Sequence, residues 1–390
     1  MFIEALKKQN PKLIEAATHF WQRGEILPDS YIIDVDQVIS NGQKLLATAQ
    51  VNGIELYAMT KQIGRNPFLA KKLIELGYRG VVAVDFKEAD TLSEHHIPLS
   101  HLGHLVQIPD ALIKPLLQAE PEVITLFSLE KAAKVSAVAL TLNRVQPVLL
   151  KFTRDGDNLY PGQEAGFDFN KIEQTVTEIK KLSGIQIVGL THFPCLLWNE
   201  EQQTTQITPN LQTLMESARA LSSLGIDVKQ INGPSASSIS TLPLLAQNGI
   251  THTEPGHAFT GTIPANQFGT QPEKIAMVYL TEVSHQFAGK TYCFGGGYYR
   301  RGNAKNALVR MSDNQYQSAD ILPLDSSSID YHIPLAGQFP IGSAVVMCFR
   351  TQIFATRSDV VLISGISQGK PRLEGIYNSQ GEWKKERYHG

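Results

Sequence analysis

The chain has 390 residues, 42% of them hydrophobic and 18% charged, with a formal net charge of −2 at pH 7; this is a soluble globular balance, with enough apolar material for one large domain and a smaller one. That charge and a pI of 6.6 leave no basic stripe for a phosphate backbone and no polybasic segment for an anionic surface, so neither nucleic acid nor membrane is an expected partner. Cys195, Cys293 and Cys348 are odd in number, far apart and in no CxxC pair, which suggests neither a disulfide framework nor a zinc knuckle and fits a reducing cytoplasm.

The opening stretch "MFIEALKKQNPKLIEAATHFWQRG" is charged throughout and lacks the apolar core of a secretory signal. It reads as a helical segment over residues 1–30. No apolar run approaches the roughly 20 residues needed to span a bilayer. From Tyr31 the chain alternates short β-rich runs with longer helical patterns. The runs are "YIIDVD", "ELYAMTK", "GVVAVD", "LSHLGHL", "EVITLFS", "PVLLKFT", "IQIVGLTHF", "VKQING" and "ITHTEPG". Between them lie amphipathic segments such as "NPFLAKKLIELG" and "FNKIEQTVTEIKKLSG", each closed by a glycine. Repeated βα units imply a parallel sheet, and eight or nine of them in about 230 residues is the count for a closed (β/α)8 TIM barrel, placed at residues 31–265. After "GTIPANQFGTQPEK" the helical patterns nearly stop, and short alternating strands from "IAMVYLTEVS" to "DVVLISG" predict a C-terminal β domain over 275–390.

Several strand ends carry chemistry. In "ELYAMTKQIGRNP" the alternation places Tyr57, Met59 and Lys61 on one face, so Lys61 sits at the C-terminal end of the second strand, where barrel enzymes keep their active sites. A partly desolvated lysine has a lowered pKa and a free amine for Schiff-base formation; the plain alternative is a lysine reaching for solvent. "HLGH" offers His101 and His104 at a metal-like spacing, but residues three apart on a strand face opposite ways, which disfavours a shared ligand role. "LLKFTRDG" ends a strand with Lys151 and Arg154, a pair suited to a substrate carboxylate or simply to solvent. "GLTHFP" puts His192 at a strand end, "INGPSASS" is a glycine- and hydroxyl-rich turn, and "HTEPGHAFTG" brings Glu254, Gly256 and His257 to the end of the last strand. The amides near Gly233 to Ser237 and Gly256 could cradle a phosphate beside a helix N-terminus.

Taken together, these residues resemble the pyridoxal-phosphate barrel of fold type III enzymes, the alanine racemase and ornithine or diaminopimelate decarboxylase superfamily, nearest to its YhfX-like bacterial branch. "IDVDQVISNGQKL" resembles the family's first strand and helix, and "YAMTKQIGRNP" its Schiff-base lysine motif. The resemblance implies pyridoxal phosphate as cofactor, with Lys61 as the Schiff-base lysine and His192 stacked on the cofactor ring. It implies Gly233, Ser235, Ser237, Gly256 and His257 as the phosphate cradle, and Lys151 as part of the substrate site. It also implies a homodimer in which the β domain of one chain closes the other's site.

Glu254, in "EPGH", resembles the decarboxylase motif whose carboxylate contacts the pyridine nitrogen; alanine racemases carry an arginine there. A carboxylate keeps that nitrogen protonated and the ring a full electron sink. The tyrosine that serves the second face in alanine racemases belongs to a segment resembling "FGGGYYRRG", but its position falls on Gly295, leaving Tyr298 or Tyr299 as substitutes. Cys348 lies where decarboxylases place a cysteine that reaches the neighbouring site, with a buried strand cysteine as the alternative. The metal-dependent members carry a histidine two residues before their cysteine. Here that place is Val346, so no catalytic metal is expected. The reading is an enzyme acting at Cα of a free amino acid, foremost a racemase or epimerase. A decarboxylase or Cα lyase is the alternative, and a non-catalytic cofactor carrier the second.

Overall fold

The computed structural model describes residues 1–325 and 327–384, so the last residues of the expected β domain, 385–390, lie outside the described residues. The chain divides into two compact units. One is built from Lys44–Thr60 and Ala70–Gly256, the other from Met1–Gln43, Lys61–Leu69 and the chain from His257 onward.

The first unit holds a parallel sheet whose strands follow chain order: Glu55–Leu56, Ala58–Met59, Val81–Val82, Leu99–Leu102, Val123–Leu126, Gln146–Leu150, Ile185–Thr191, Gln230–Asn232 and His252–Thr253. Glu55–Leu56 pairs with His252–Thr253, and Ala58–Met59 pairs with Val81–Val82. Tyr57 separates the two short pieces but keeps its own ladder bond, its N–H donating to Thr253 O at 3.1 Å. The single stretch Glu55–Met59 therefore closes the ring, giving the expected barrel of eight parallel strands. Its strands are buried along most of their length, as parallel strands covered on both faces must be. Helices in the crossovers start on their own caps: Asp85 accepts from the Glu88 N–H ahead of Phe86–Glu94, and Ser128 from the Lys131 N–H ahead of Leu129–Thr141. Among the described residues, no helix is long and apolar enough to cross a membrane.

The second unit is built on a mixed sheet with the strand path Tyr316–Asp320, Asn306–Arg310, Ala344–Met347, Met277–Phe287, Ser30–Asp34, Asp359–Ser364 and Arg372–Asn378. Ser30–Asp34 corrects the expectation that "YIIDVD" opens the barrel. It runs antiparallel to Met277–Phe287 and parallel to Asp359–Ser364 instead. All five of its residues are buried, and a strand covered on both faces carries no local mark of which sheet it will join. Helices Ile3–Gln9 and Pro11–Gln22 form over the expected N-terminal segment and cover this sheet. Phe2, Leu6, Leu13 and Phe20 join Ile32, Val278, Leu280, Val346 and Val361 in one apolar cluster.

Cys348 belongs to that cluster, only 1% exposed. Its thiol donates to Met277 O at 3.4 Å, and burial pushes its pKa up to about 12. This corrects the catalytic assignment: Val346 and Cys348 alternate onto the side facing the N-terminal helices, where the thiol is a small core hydrophobe. The glycines of "FGGGYY" are demanded by packing. Gly296 has φ +131°, and a Cβ there would lie 1.9 Å from Asp29 Oδ2. A Cβ on Gly297 would meet the Tyr279 ring at 2.3 Å.

Candidate functional site

Three strands of the barrel bring a buried carboxylate and its donors together. Glu254, just past His252–Thr253, has a fully buried side chain. Its Oε1 accepts from His101 Nδ1 and from Asn232 Nδ2, both at 2.6 Å. His101 Nε2 lies 2.5 Å from Thr125 Oγ1. His104 Nε2 stands 3.6 Å from Glu254 Oε2, which takes part in no hydrogen bond. Burial alone would raise the Glu254 pKa, but the facing charges of His104 and His101 and the bonds from His101 and Asn232 outweigh it and bring it down to about 2.

This overturns the argument that set His101 and His104 on opposite faces. The strand ends at Leu102, and Gly103, at φ +72°, turns the chain so that the two rings lie 4.8 Å apart. His101, His104 and Glu254 thus offer ligand atoms within 4.8 Å of one another, enough to hold a metal ion. Both nitrogens of His101 also face hydrogen-bond partners, Glu254 and Thr125.

A second cluster lies beside the first, since the Phe193 ring sits 4.8 Å from that of His104. His192 follows Ile185–Thr191 and is 1% exposed. Its Nε2 donates to Asp157 Oδ2 at 2.9 Å, and its Nδ1 accepts from the Phe193 N–H at 2.8 Å. These partners fix the tautomer. Burial lowers the His192 pKa in spite of Asp157. Asp157 itself is tied by Thr213 Oγ1 at 2.7 Å and the Arg154 N–H at 3.0 Å; nothing in the sequence marked it, because its partner histidine is 35 residues away.

Lys151 is 1% exposed, with Nζ 4.3 Å from the centre of the Phe193 ring. No ion pair among the described residues reaches it. Arg154, its expected companion, is instead paired with Glu216 and lies over Phe169, so its guanidinium is engaged elsewhere. Burial lowers the Lys151 pKa from 10.5 to about 8. Between those values the unfolded chain binds the extra proton, so stability rises with pH across that window and the penalty is complete below it, on the order of 3 kcal/mol. Lys151→Met should therefore stabilise the protein at pH 7, and the gain should vanish as the pH passes about 10.5. Thermal unfolding of both proteins at pH 7 and pH 10 checks this.

The glycine-rich turn behaves differently from its expected role at one position. The Gly233 N–H donates to His252 O at 3.0 Å, so it continues the sheet and is no phosphate donor. Glycine is required there because a Cβ would lie 2.6 Å from Ile250 Cδ1. Beyond it, Ser235 and Ala236 adopt φ +99° and +50°. Non-glycine residues pay of order 1–3 kcal/mol for such geometry, which persists where surroundings or ligands impose it. Ser237 Oγ lies 2.6 Å from Thr253 Oγ1. Gly256 is buried and is the last residue of this unit.

In the other unit, Lys61 opens a 3-10 turn, Lys61–Ile63, and is half-buried. The strand stops at Met59, so the alternation with Tyr57 and Met59 does not extend to it. The motif after it is built for packing. Gly64 has φ +68°, Arg65 has φ +53° and lies over the Phe354 ring, and Asn66 Oδ1 accepts from the Leu69 N–H. His257 Nε2 accepts from Arg350 Nε at 3.0 Å. Burial, with the charges of Arg350 and Lys61, drives the His257 pKa well below its usual value and keeps the ring neutral. Arg350 was not legible beforehand as a functional residue. Tyr298 and Tyr299 are half-buried, with the Tyr298 N–H bound to Asp330 Oδ2 at 3.0 Å.

A family model described as "Alanine racemase, N-terminal domain" matches residues 33–264. The chain belongs to the alanine racemase N-terminal domain family. A second model, "YhfX-like, C-terminal domain", matches residues 278–373 of this fold type III chain. Within the family, the chain is 56% identical over 382 residues to a protein of Escherichia coli (strain K12) described as "Uncharacterized protein YhfX", covering 98% of this chain and 99% of that one. Solved structures share the alanine racemase fold at much lower identity. A D-threonine aldolase from Filomicrobium marinum matches with TM-score 0.66 and 12% identity, over 90% of this chain and 95% of its own. Alanine racemase of Clostridium difficile 630 in complex with cycloserine matches with TM-score 0.65 and 15% identity, over 90% and 99%. D-threo-3-hydroxyaspartate dehydratase from Delftia sp. HT23 matches with TM-score 0.64 and 14% identity, over 89% and 97%.

Proposed function

We propose that the protein is a pyridoxal-phosphate-dependent enzyme acting at Cα of a free amino acid, foremost as a racemase or epimerase, with Lys61 as the lysine that carries the cofactor. The observation that carries this reading is Glu254: a buried carboxylate with one oxygen held by His101 and Asn232 and the other accepting no hydrogen bond. A buried acceptor left in this way suits a protonated ring nitrogen. The left-handed turn at Ser235 and Ala236, followed by Ser237, suits a phosphate. The residues present thus fit the cofactor that members of this family use.

When bound, pyridoxal phosphate withdraws the electron pair released as a bond at Cα breaks. Glu254 would keep the ring nitrogen protonated, and His192, locked by Asp157 and the Phe193 amide, would present a fixed imidazole face. Gly256 and His257 would complete the phosphate end. The ammonium of Lys151, with no carboxylate of its own, would take the substrate carboxylate, while Arg154 stays with Glu216. Lys61 would move the Cα proton on one face. Tyr298 or Tyr299 from the partner in a cytoplasmic homodimer would move it on the other. Glu254 also favours a second reading, a decarboxylase or Cα lyase, because a fully protonated ring supports those reactions equally well.

Incubating the cofactor-loaded protein with pools of L- and D-amino acids in heavy water, and following the α-proton signals by NMR, separates these readings. Exchange at Cα ending in a racemic mixture is the expected result. An amine or aldehyde product would move the assignment to the second reading, and no change in any amino acid would leave a cofactor carrier.

A further inference from the structure

We propose that His101 is a positioning residue for Glu254: with Thr125 behind it and Asn232 beside it, it pins one carboxylate oxygen and so reserves the other for the cofactor's ring nitrogen. The inference deepens the cofactor reading above and rests on it. A buried carboxylate left to itself spreads its donors over both oxygens, because each unsatisfied lone pair in a low dielectric is costly. Here the two close donors converge on Oε1, His101 Nδ1 and Asn232 Nδ2 at 2.6 Å each, and Oε2 takes part in no hydrogen bond. The convergence fixes the rotation of the carboxylate and aims Oε2. His104 Nε2, at 3.6 Å, is the only other group of an ion pair with Glu254 among the described residues.

The orientation of the His101 ring follows from its second nitrogen. Thr125 Oγ1 engages Nε2 and so leaves Nδ1 to face Glu254. Glu254 is thereby left with Oε2 to offer a cationic N–H. The chain Thr125 to His101 to Glu254 therefore does for this carboxylate what outer partners do for a metal-bound histidine, setting its orientation. "HLGH" supplies His101 from the strand Leu99–Leu102, Thr125 comes from Val123–Leu126 and Asn232 from Gln230–Asn232.

The test is the 15N NMR signal of cofactor labelled at the ring nitrogen, bound to the wild type and to Glu254→Gln, His101→Leu, His101→Asn and Thr125→Val. The wild type should show a protonated nitrogen and Glu254→Gln a neutral one. His101→Leu should move the signal toward the neutral position and lower kcat by roughly 10- to 100-fold, the size of one charge-assisted hydrogen bond. His101→Asn, whose amide can donate from nearly the same place, should restore the wild-type signal. Thr125→Val, nearly isosteric, should shift it in the same direction as His101→Leu by a smaller amount, which keeps the test open if the leucine variant does not fold. Cofactor content and circular dichroism confirm that the variants compared are folded and loaded. A wild-type signal in Thr125→Val and His101→Leu, alongside a shifted one in Glu254→Gln, overturns the role of His101 and leaves the cofactor reading standing. So does a stoichiometric divalent cation whose chelation frees His101. Failure of the wild type to bind the cofactor removes both.

Discussion

Lys61→Ala is expected to abolish covalent retention of pyridoxal phosphate and to slow exchange of the amino-acid α-proton by at least about 10³-fold, because one side chain supplies both the amine that carries the cofactor and a proton-transfer group. The fold should survive. Lys61 is half-buried in a short turn that carries its own packing residues, with Arg65 over the Phe354 ring. Exchange rates in heavy water, with circular dichroism as the fold control, give the comparison. Retention of exchange within tenfold of the wild type would transfer the role to another lysine, of which Lys151 is the buried candidate.

The second large effect is on stability. In the barrel, Gly189 pairs with Gln230, and a Cβ at Gly189 would lie 1.8 Å from Gln230 O and 2.7 Å from its carbonyl carbon. Those atoms are backbone in a closed ring and cannot step aside without parting two strands. Gly189→Ala should therefore cost more than about 3 kcal/mol, beyond ordinary overpacking. Gly225 is a useful contrast. It has φ +76° but open space around its Cβ position, so Gly225→Ala carries only backbone strain of about 1 kcal/mol. Thermal or denaturant unfolding of the two variants should differ accordingly.

The barrel was legible because β-rich runs, amphipathic segments and closing glycines repeat along the chain, and eight of the nine runs became its strands. The ninth, Ser30–Asp34, was misplaced because burial on both faces looks alike in either sheet. Position at a strand end was legible for Glu254, His192 and Lys151, each of which directly follows a strand of the barrel. It failed wherever the chain left strand geometry a residue or two early: Lys61 opens a turn after Met59, and Gly103 swings His104 back beside His101. Partners distant in sequence left no trace. Asp157 behind His192, Glu216 on Arg154 and Arg350 on His257 are each set by the closing of the fold. Cys348 was ambiguous by nature, since a cysteine on a buried strand reads the same as a core hydrophobe and as a nucleophile until its surroundings are known.

The most direct test of the central claim is borohydride reduction of the wild-type protein loaded with pyridoxal phosphate, followed by peptide mass mapping. The account predicts a pyridoxyl-phosphate group on Lys61 and on no other lysine. A reduced adduct on Lys151 instead, or none on any lysine at saturating cofactor, would contradict it.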